Sequence, residues 1–409
     1  MDLLIRAVRL AEGAAPVDIA VSGARIAAVA PGIAPAEGAA VLEGGGAFAF
    51  AGFVESHVHL DKAMILDRAP AAEGVAEAIA GVARAKKGFT AEDVADRAGR
   101  VLRAAVSHGV TLMRSHVEVD PVIGLTGFEG VQAASQAHAW GVDVELCVFP
   151  QEGLTNLPGT EALMRAALDR GARLIGACPY ADPDPLAHLD IVFRMAREFD
   201  VDIDMHLDFD LSPDESMIEA VCARTRAAGW GGRVTIGHVT RLSAMAPDRL
   251  EAMARRMAGA GVALTVLPAT DLYMMGRGAD RLAPRGVAPA HTVSACGARC
   301  SLATNNVLNP FTPFGDANPL RIANLYAHVA QLGAPEALEG VFAMMSADAA
   351  ALMNRPLHAL EPGAPATLVA LDGAGPADAV ARVAPARFGV KDGRVSFERP
   401  PVRLMAPCA

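Results

Sequence analysis

The sequence has six cysteines, at positions 147, 178, 222, 296, 300 and 408, and no C-x-x-C pair. In so long a chain that spacing excludes a disulfide framework as the basis of the fold. Cys296 and Cys300, four apart, read as buried thiols. No stretch approaches the roughly 18 uninterrupted apolar residues of a membrane span. The opening Met1-Asp-Leu-Leu-Ile-Arg6 lacks the basic segment, apolar run and small-residue cleavage site of a signal peptide, so a cytoplasmic location is expected. Clustered positive charge is missing too. The formal net charge is −10 and the arginines are scattered, which leaves no surface suited to nucleic acid or an anionic membrane. The expected partners are small molecules and further copies of the chain, as a homo-oligomer.

What the chain does contain is material for a large core. Of its 409 residues 52% are hydrophobic and 5% aromatic, with 39 Gly and 27 Pro, a balance that fits one large domain plus a smaller one and no disordered class. From residue 50 to about 350, short β-rich runs alternate with Ala-rich segments of helical period, the pattern of repeated β-α units around a parallel sheet. Eight strands are predicted, at 53–59, 110–116, 143–149, 174–178, 201–206, 233–238, 262–267 and 300–304, with helices such as 91–107, 160–170, 216–228 and 247–260 between them. Count and length match a (β/α)8 barrel over 51–359. The flanks differ: residues 1–50 and 360–409 alternate small apolar and polar residues between Gly turns, with Lys391-Asp392-Gly393-Arg394 a strong hairpin signal. Neither flank buries a face alone, so the two are expected to form one small composite β-sandwich.

Residues 52–59, Gly-Phe-Val-Glu-Ser-His57-Val58-His59, end an apolar run in two imidazoles. In an extended strand His57 and His59 share a face, about 7 Å apart along the backbone, near enough to converge on one cation. A lone His-X-His also fits a strand that ends in two surface histidines. The strand-end positions weigh against that reading, because a barrel draws its reactive groups from the C-terminal ends of its strands. His116 and Glu118 end the second predicted strand, Gln151 and Glu152 follow the third, His206 and Asp208 end the fifth, His238 ends the sixth, and Asn305 and Asn306 follow the eighth. Three histidines, His57, His59 and His206, suffice for a catalytic metal with an open fourth position. Such a metal lowers the pKa of a bound water toward ~7. If strand geometry persists past His206, Asp208 faces the same interior and can move a proton; the competing reading is a loop carboxylate capping the next helix, a role Ser212 or Asp214 also fits. His238 is placed to orient or polarise the substrate or the hydroxide, and Gln151 to read the edge of an amide or heterocycle. Lys62 and Asn306 are further candidates for substrate binding, and the loop Asp271 to Arg277 shapes the pocket.

These motifs resemble the amidohydrolase superfamily, in its branch of cytosine deaminase and isopropylammelide aminohydrolase, over nearly the whole chain. The segments that carry the resemblance are Gly52 to Lys62, His116-Val-Glu-Val-Asp120, Phe149-Pro-Gln-Glu-Gly153, Asp204-Met-His206-Leu-Asp208, Gly237-His238, Pro313-Phe-Gly-Asp316 and Pro362-Gly-Ala-Pro-Ala-Thr-Leu-Val369. The resemblance implies one divalent metal, zinc foremost with iron or manganese as alternatives, and hydrolytic removal of an amino group from a nitrogen heterocycle. The fourth strand, Leu174-Ile-Gly-Ala-Cys-Pro179, carries no lysine to bridge a second metal.

Two departures stand out. Where the family places a metal-binding Asp after strand eight, this chain has Asn305, whose amide oxygen can still face a metal but is neutral and no base. Where cytosine deaminase has a proton-shuttling Glu, this chain has Phe209, and the histidine shuttle of the isopropylammelide enzyme falls at Asp208. The expected activity is hydrolysis of non-peptide C–N bonds on a small heterocycle. The alternatives are a metal-free hydrolase of a lactam, imide or lactone, and a member that binds a heterocycle without turning it over.

Overall fold

A computed structural model of the chain describes residues 1–400 and 402–405. Its centre is an eight-stranded sheet in chain order, Phe53–Val58, Val110–Glu118, Asp143–Phe149, Leu174–Ile175, Asp202–Leu207, Val234–His238, Val262–Val266 and Cys300–Leu302. All seven pairings are parallel. The sheet closes through the residues that follow the eighth strand: His59 N–H donates to Asn305 O at 2.8 Å, and Asn305 N–H to His57 O at 2.9 Å. This is the predicted barrel, and its seam lies at the His-X-His motif.

The strands read as apolar runs because both faces are covered. All nine residues of Val110–Glu118 are buried, with helices outside and packed side chains within. The helices carry the expected signals. In Ala91–Ser107 the Thr90 side chain accepts the Asp93 N–H as N-cap, and Val94, Ala98, Val101, Leu102 and Ala105 form a buried stripe.

Both chain ends build the smaller β-structure. One four-stranded sheet runs Arg25–Ala30, Val17–Ser22, Leu3–Val8, Ala40–Glu43; the other runs Arg394–Glu398, Ala386–Lys391, Leu368–Leu371, Phe48–Phe50. A core of its own holds Leu3, Ile5, Ile19, Val21 and Ile26 from the N-terminal flank with Leu368, Phe388 and Val390 from the C-terminal one. The turn at Asp392-Gly393 has positive φ at both residues, 50° and 80°, the primed geometry that matches strand twist. One element departs from the expected composite β-sandwich: helix Pro376–Arg382 interrupts the C-terminal flank and packs on helix Pro335–Ala343. Its Pro at the first turn and the small residues Ala377, Ala379 and Ala381 suit a short helix laid closely on another. The five cysteines among the described residues are free, four of them buried and Cys296 half-buried; Cys408 lies outside the described residues. No helix among them is long and apolar enough to cross a membrane.

Candidate active site and metal centre

The strand ends deliver a cluster of imidazoles to the C-terminal rim. Lys62, His57, His59, His116, Gln151, His206, Asp208, His238, Asn305 and Asn306 are each 4% exposed or less, so the site lies below the rim. The Nε2 atoms of His57 and His206 are 3.2 Å apart, and those of His59 and His206 are 3.0 Å apart. His206 Nε2 thus faces two other ring nitrogens, and a neutral imidazole nitrogen, with one proton or one lone pair, does not satisfy both. The Nδ1 atoms of all three rings lack a hydrogen-bond partner, as does Oδ1 of Asn305. Burial first, then the neighbouring imidazoles and the Lys62 ammonium, hold these histidines well below the usual range, so each carries a lone pair at pH 7.

That donor set fits a metal. With zinc–nitrogen bonds of about 2.0–2.1 Å, tetrahedral coordination sets ligand nitrogens about 3.3 Å apart. Buried neutral imidazoles with an amide oxygen nearby are the donors that borderline divalent ions take. His57, His116 and His206 are the histidines whose ring nitrogens all lie within 4.8 Å of one another, whereas the two short contacts that involve His57 and His59 both run to His206. The shorter separations favour His59 over His116, whose Nε2 faces Asp204, 3.3 Å from its carbonyl and 3.5 Å from Oδ1, while its ring stacks on His57 at 3.7 Å.

The floor beneath the cluster is ionic. Arg114, wholly enclosed in the barrel, donates to Glu145 at 2.7 Å and to Asp204 Oδ2 at 2.6 Å, leaving Asp204 Oδ1 3.9 Å from His57 Nδ1. Glu55 accepts the Thr304 N–H at 3.0 and 3.2 Å and so fixes the segment that carries Asn305. Burial pushes Glu55 up to about 7 against those bonds. To one side, Lys62 donates to Glu118 at 2.6 Å and to Gln151 Oε1 at 3.0 Å, with its ammonium over the rings of Phe149 and Phe311. Among the described residues its third N–H has no hydrogen-bond acceptor. Gln151 donates in turn to Cys178 Sγ at 3.3 Å. The structure thus joins Lys62 and Gln151, whereas Asn306 is held in a loop lattice by Asn309 and Thr270.

Asp208 requires a correction. Strand geometry does not persist to it: its φ is 49°, and the carboxylate turns to Ser216 Oγ at 2.6 Å and Met217 N at 3.1 Å, with Arg241 at 3.6 Å. It ties down the start of helix Ile218–Ala228, the place expected of Ser212 or Asp214; Asp214 instead pairs with Arg249. His238 does face the cluster, its ring centroid 5.5 Å from that of His206. Phe209 lies on the His238 ring at 3.9 Å, and Asp271 Oδ1 is 2.6 Å from its Nδ1. Sequence reasoning placed Asp271 only on a pocket loop. Its position four residues beyond Leu267, just past the seventh strand, was the available signal. Lys86, which pairs Glu118, Asp120 and Glu152, gave none, since it precedes the second strand in an unremarked turn.

Residues 87–397 match the profile of the amidohydrolase family. The chain belongs to the amidohydrolase family. It is a hydrolase that acts on non-peptide carbon–nitrogen bonds. Among its relatives is a pterin deaminase of Rhizobium rhizogenes, 28% identical over 364 residues, 88% of this chain and 82% of that one. Of the solved structures, N-isopropylammelide isopropylaminohydrolase from Burkholderia multivorans superposes with a TM-score of 0.85 at 29% identity, covering 97% of this chain and 99% of that one. A 5-methylcytosine deaminase from Klebsiella pneumoniae, liganded with 5-fluorocytosine, reaches a TM-score of 0.91 at 24% identity over 99% of both chains. This amidohydrolase therefore shares its barrel and terminal β-structure with enzymes of the branch its motifs resemble.

Proposed function

We propose that this amidohydrolase removes an amino or alkylamino group by hydrolysis from a six-membered nitrogen heterocycle that also carries a ring carbonyl, of the pyrimidine, pterin or triazine kind. The observation that carries the reading is the approach of His206 Nε2 to two other ring nitrogens, 3.2 Å from His57 Nε2 and 3.0 Å from His59 Nε2. Those three would hold one divalent cation, zinc foremost, with the Asn305 amide oxygen as a neutral fourth or outer ligand. Once bound, the cation supplies Lewis-acid activation of water and of the ring carbon under attack. The free N–H of Lys62 donates to the ring carbonyl, and Gln151 sets the ring edge beside it. His238 takes the water's proton at Nε2 and returns it to the departing amine, at the C–N bond that breaks. Asp208, whose oxygens are bound to Ser216 and Met217, closes the loop after the fifth strand. The relatives named above act on heterocycles of this kind, which supports the substrate class.

The test is metal content per chain by plasma mass spectrometry, on protein purified without added metal or chelator and on His206→Ala, beside ammonia or amine release from aminopyrimidines, aminopteridines and aminotriazines. About one zinc, iron or manganese per chain, absent from the variant, with turnover of one class, is the expected result. No metal in the wild type and none on reconstitution overturns it. Activity that survives exhaustive chelation would point to metal-free opening of a lactam, imide or lactone.

A further inference from the structure

Five imidazoles meet at the rim, and four of them, His57, His59, His116 and His206, have an Nδ1 without a partner. His238 stands apart. Its Nδ1 lies 2.6 Å from Asp271 Oδ1, and its ring is covered by Phe209 at a centroid distance of 3.9 Å. The backbone is bent to put it there: His238 and Val239 are consecutive non-glycine residues with φ of 67° and 49°, a left-handed conformation that L side chains disfavour.

Asp271 is unusual in itself. It is fully buried on the short helix Pro268–Met274, its other oxygen accepts only the Leu267 N–H at 3.2 Å, and among the described residues no Lys or Arg pairs with it. A buried carboxylate without a cation is costly, and such groups gather at functional sites. A carboxylate on one imidazole nitrogen decides which nitrogen carries the proton.

We propose that Asp271 is a positioning residue of the reaction: it keeps the His238 proton on Nδ1 and so turns an Nε2 lone pair toward the histidine cluster. This rests on the hydrolytic reading above, in which Nε2 receives the proton of the attacking water. Without Asp271 the ring is free to carry its proton on Nε2, and that nitrogen then has no lone pair to accept with. Phe209 acts with it by fixing the ring plane.

The test is a long-range 1H–15N correlation spectrum of the metal-loaded enzyme labelled with 15N-histidine, with His238→Gln used to assign the resonance. The wild type should show His238 protonated on Nδ1. In Asp271→Asn, which keeps an acceptor for Leu267, the proton should move to Nε2 or divide between the two nitrogens. Turnover should fall about 10²- to 10⁴-fold with KM within about threefold and metal content unchanged. His238 protonated on Nε2 in the wild type overturns the proposal, and this result needs no variant to fold. So does an Asp271→Asn enzyme that keeps Nδ1–H, or whose turnover stays within about threefold of wild type. A purely structural Asp271 would lower the melting temperature and leave the tautomer alone, which also overturns it. The spectrum requires no substrate, so failure of the heterocycle reading would leave this result readable and separate.

Discussion

Replacing Lys86 by Met removes one charge from a buried ionic cluster beside the site at little change in volume. The Lys86 ammonium, 2% exposed, lies 3.3 Å from Glu118 Oε2 and 2.5 Å from Asp120 Oδ2 and contacts Glu152. Burial works against its charge, but Glu118, Asp120 and Glu152 outweigh that and raise its pKa. Breaking a buried pair by deleting one partner costs about 3–5 kcal/mol, because the remaining charges are left uncompensated. Lys62 still serves Glu118 at 2.6 Å, and Glu152 is 24% exposed, so the lower end, about 3 kcal/mol at pH 8, is expected. For a barrel of roughly 300 residues the unfolding entropy is about 0.6 kcal/mol per degree, which converts to a fall of about 5 °C in Tm. The pH dependence fixes the mechanism. Carboxylates stripped of their cation have folded pKa values above the unfolded ones of about 4, so the deficit is complete above the folded values and fades as pH falls toward 4. Urea unfolding at pH 8 and pH 5 measures both, and Lys86→Met with Asp120→Asn should recover about half the loss. A deficit under about 1 kcal/mol, or one equal at the two pH values, would refute the reasoning.

Asn305→Asp adds a carboxylate where Asn305 Oδ1 has no partner; metal retention in chelator competition should tighten at least about tenfold, worth about 1.4 kcal/mol, and unchanged retention would remove residue 305 from the coordination sphere. Asp208→Ala should cost about 0.5–2 kcal/mol through the lost bond to Met217 N–H. Asp208→Asn should keep turnover and metal alike, so lost turnover with metal retained would return the proton transfer to Asp208. Gly176→Ala would set a Cβ 2.6 Å from Phe149 Cβ and 2.9 Å from Asp204 O, behind the Phe149 ring that stacks on His206 at 4.7 Å. A stability loss of about 1–3 kcal/mol together with weaker metal binding is expected, measured by thermal unfolding and metal content, and a neutral variant would show that the barrel interior yields there.

Much of the barrel was legible because its determinants are local and periodic. All eight runs became strands within a few residues of their predicted limits, since a parallel strand buried on both faces must be apolar along its length and its helices must carry one apolar stripe. The rule that reactive groups stand at strand ends then selected His57, His59, His206, His238 and Gln151 without any knowledge of distance. Shared cores across the chain ends were legible for the same reason, as two alternating flanks each lacked a partner.

Tertiary structure decided what depends on side-chain direction and on contacts between distant segments. Asp208 has the right spacing from His206, but one left-handed residue turns it to Ser216 and Met217, and sequence spacing carries no information on where φ changes sign. The pairing of His238 with Asp271 spans 33 residues and that of Lys86 with Glu152 spans 66, and neither leaves a periodic trace. The sequence by itself determined which residue types reach the rim. Only the packed barrel decided which of them face one another, because a carboxylate's partner is set by the geometry of closure and not by its place along the chain.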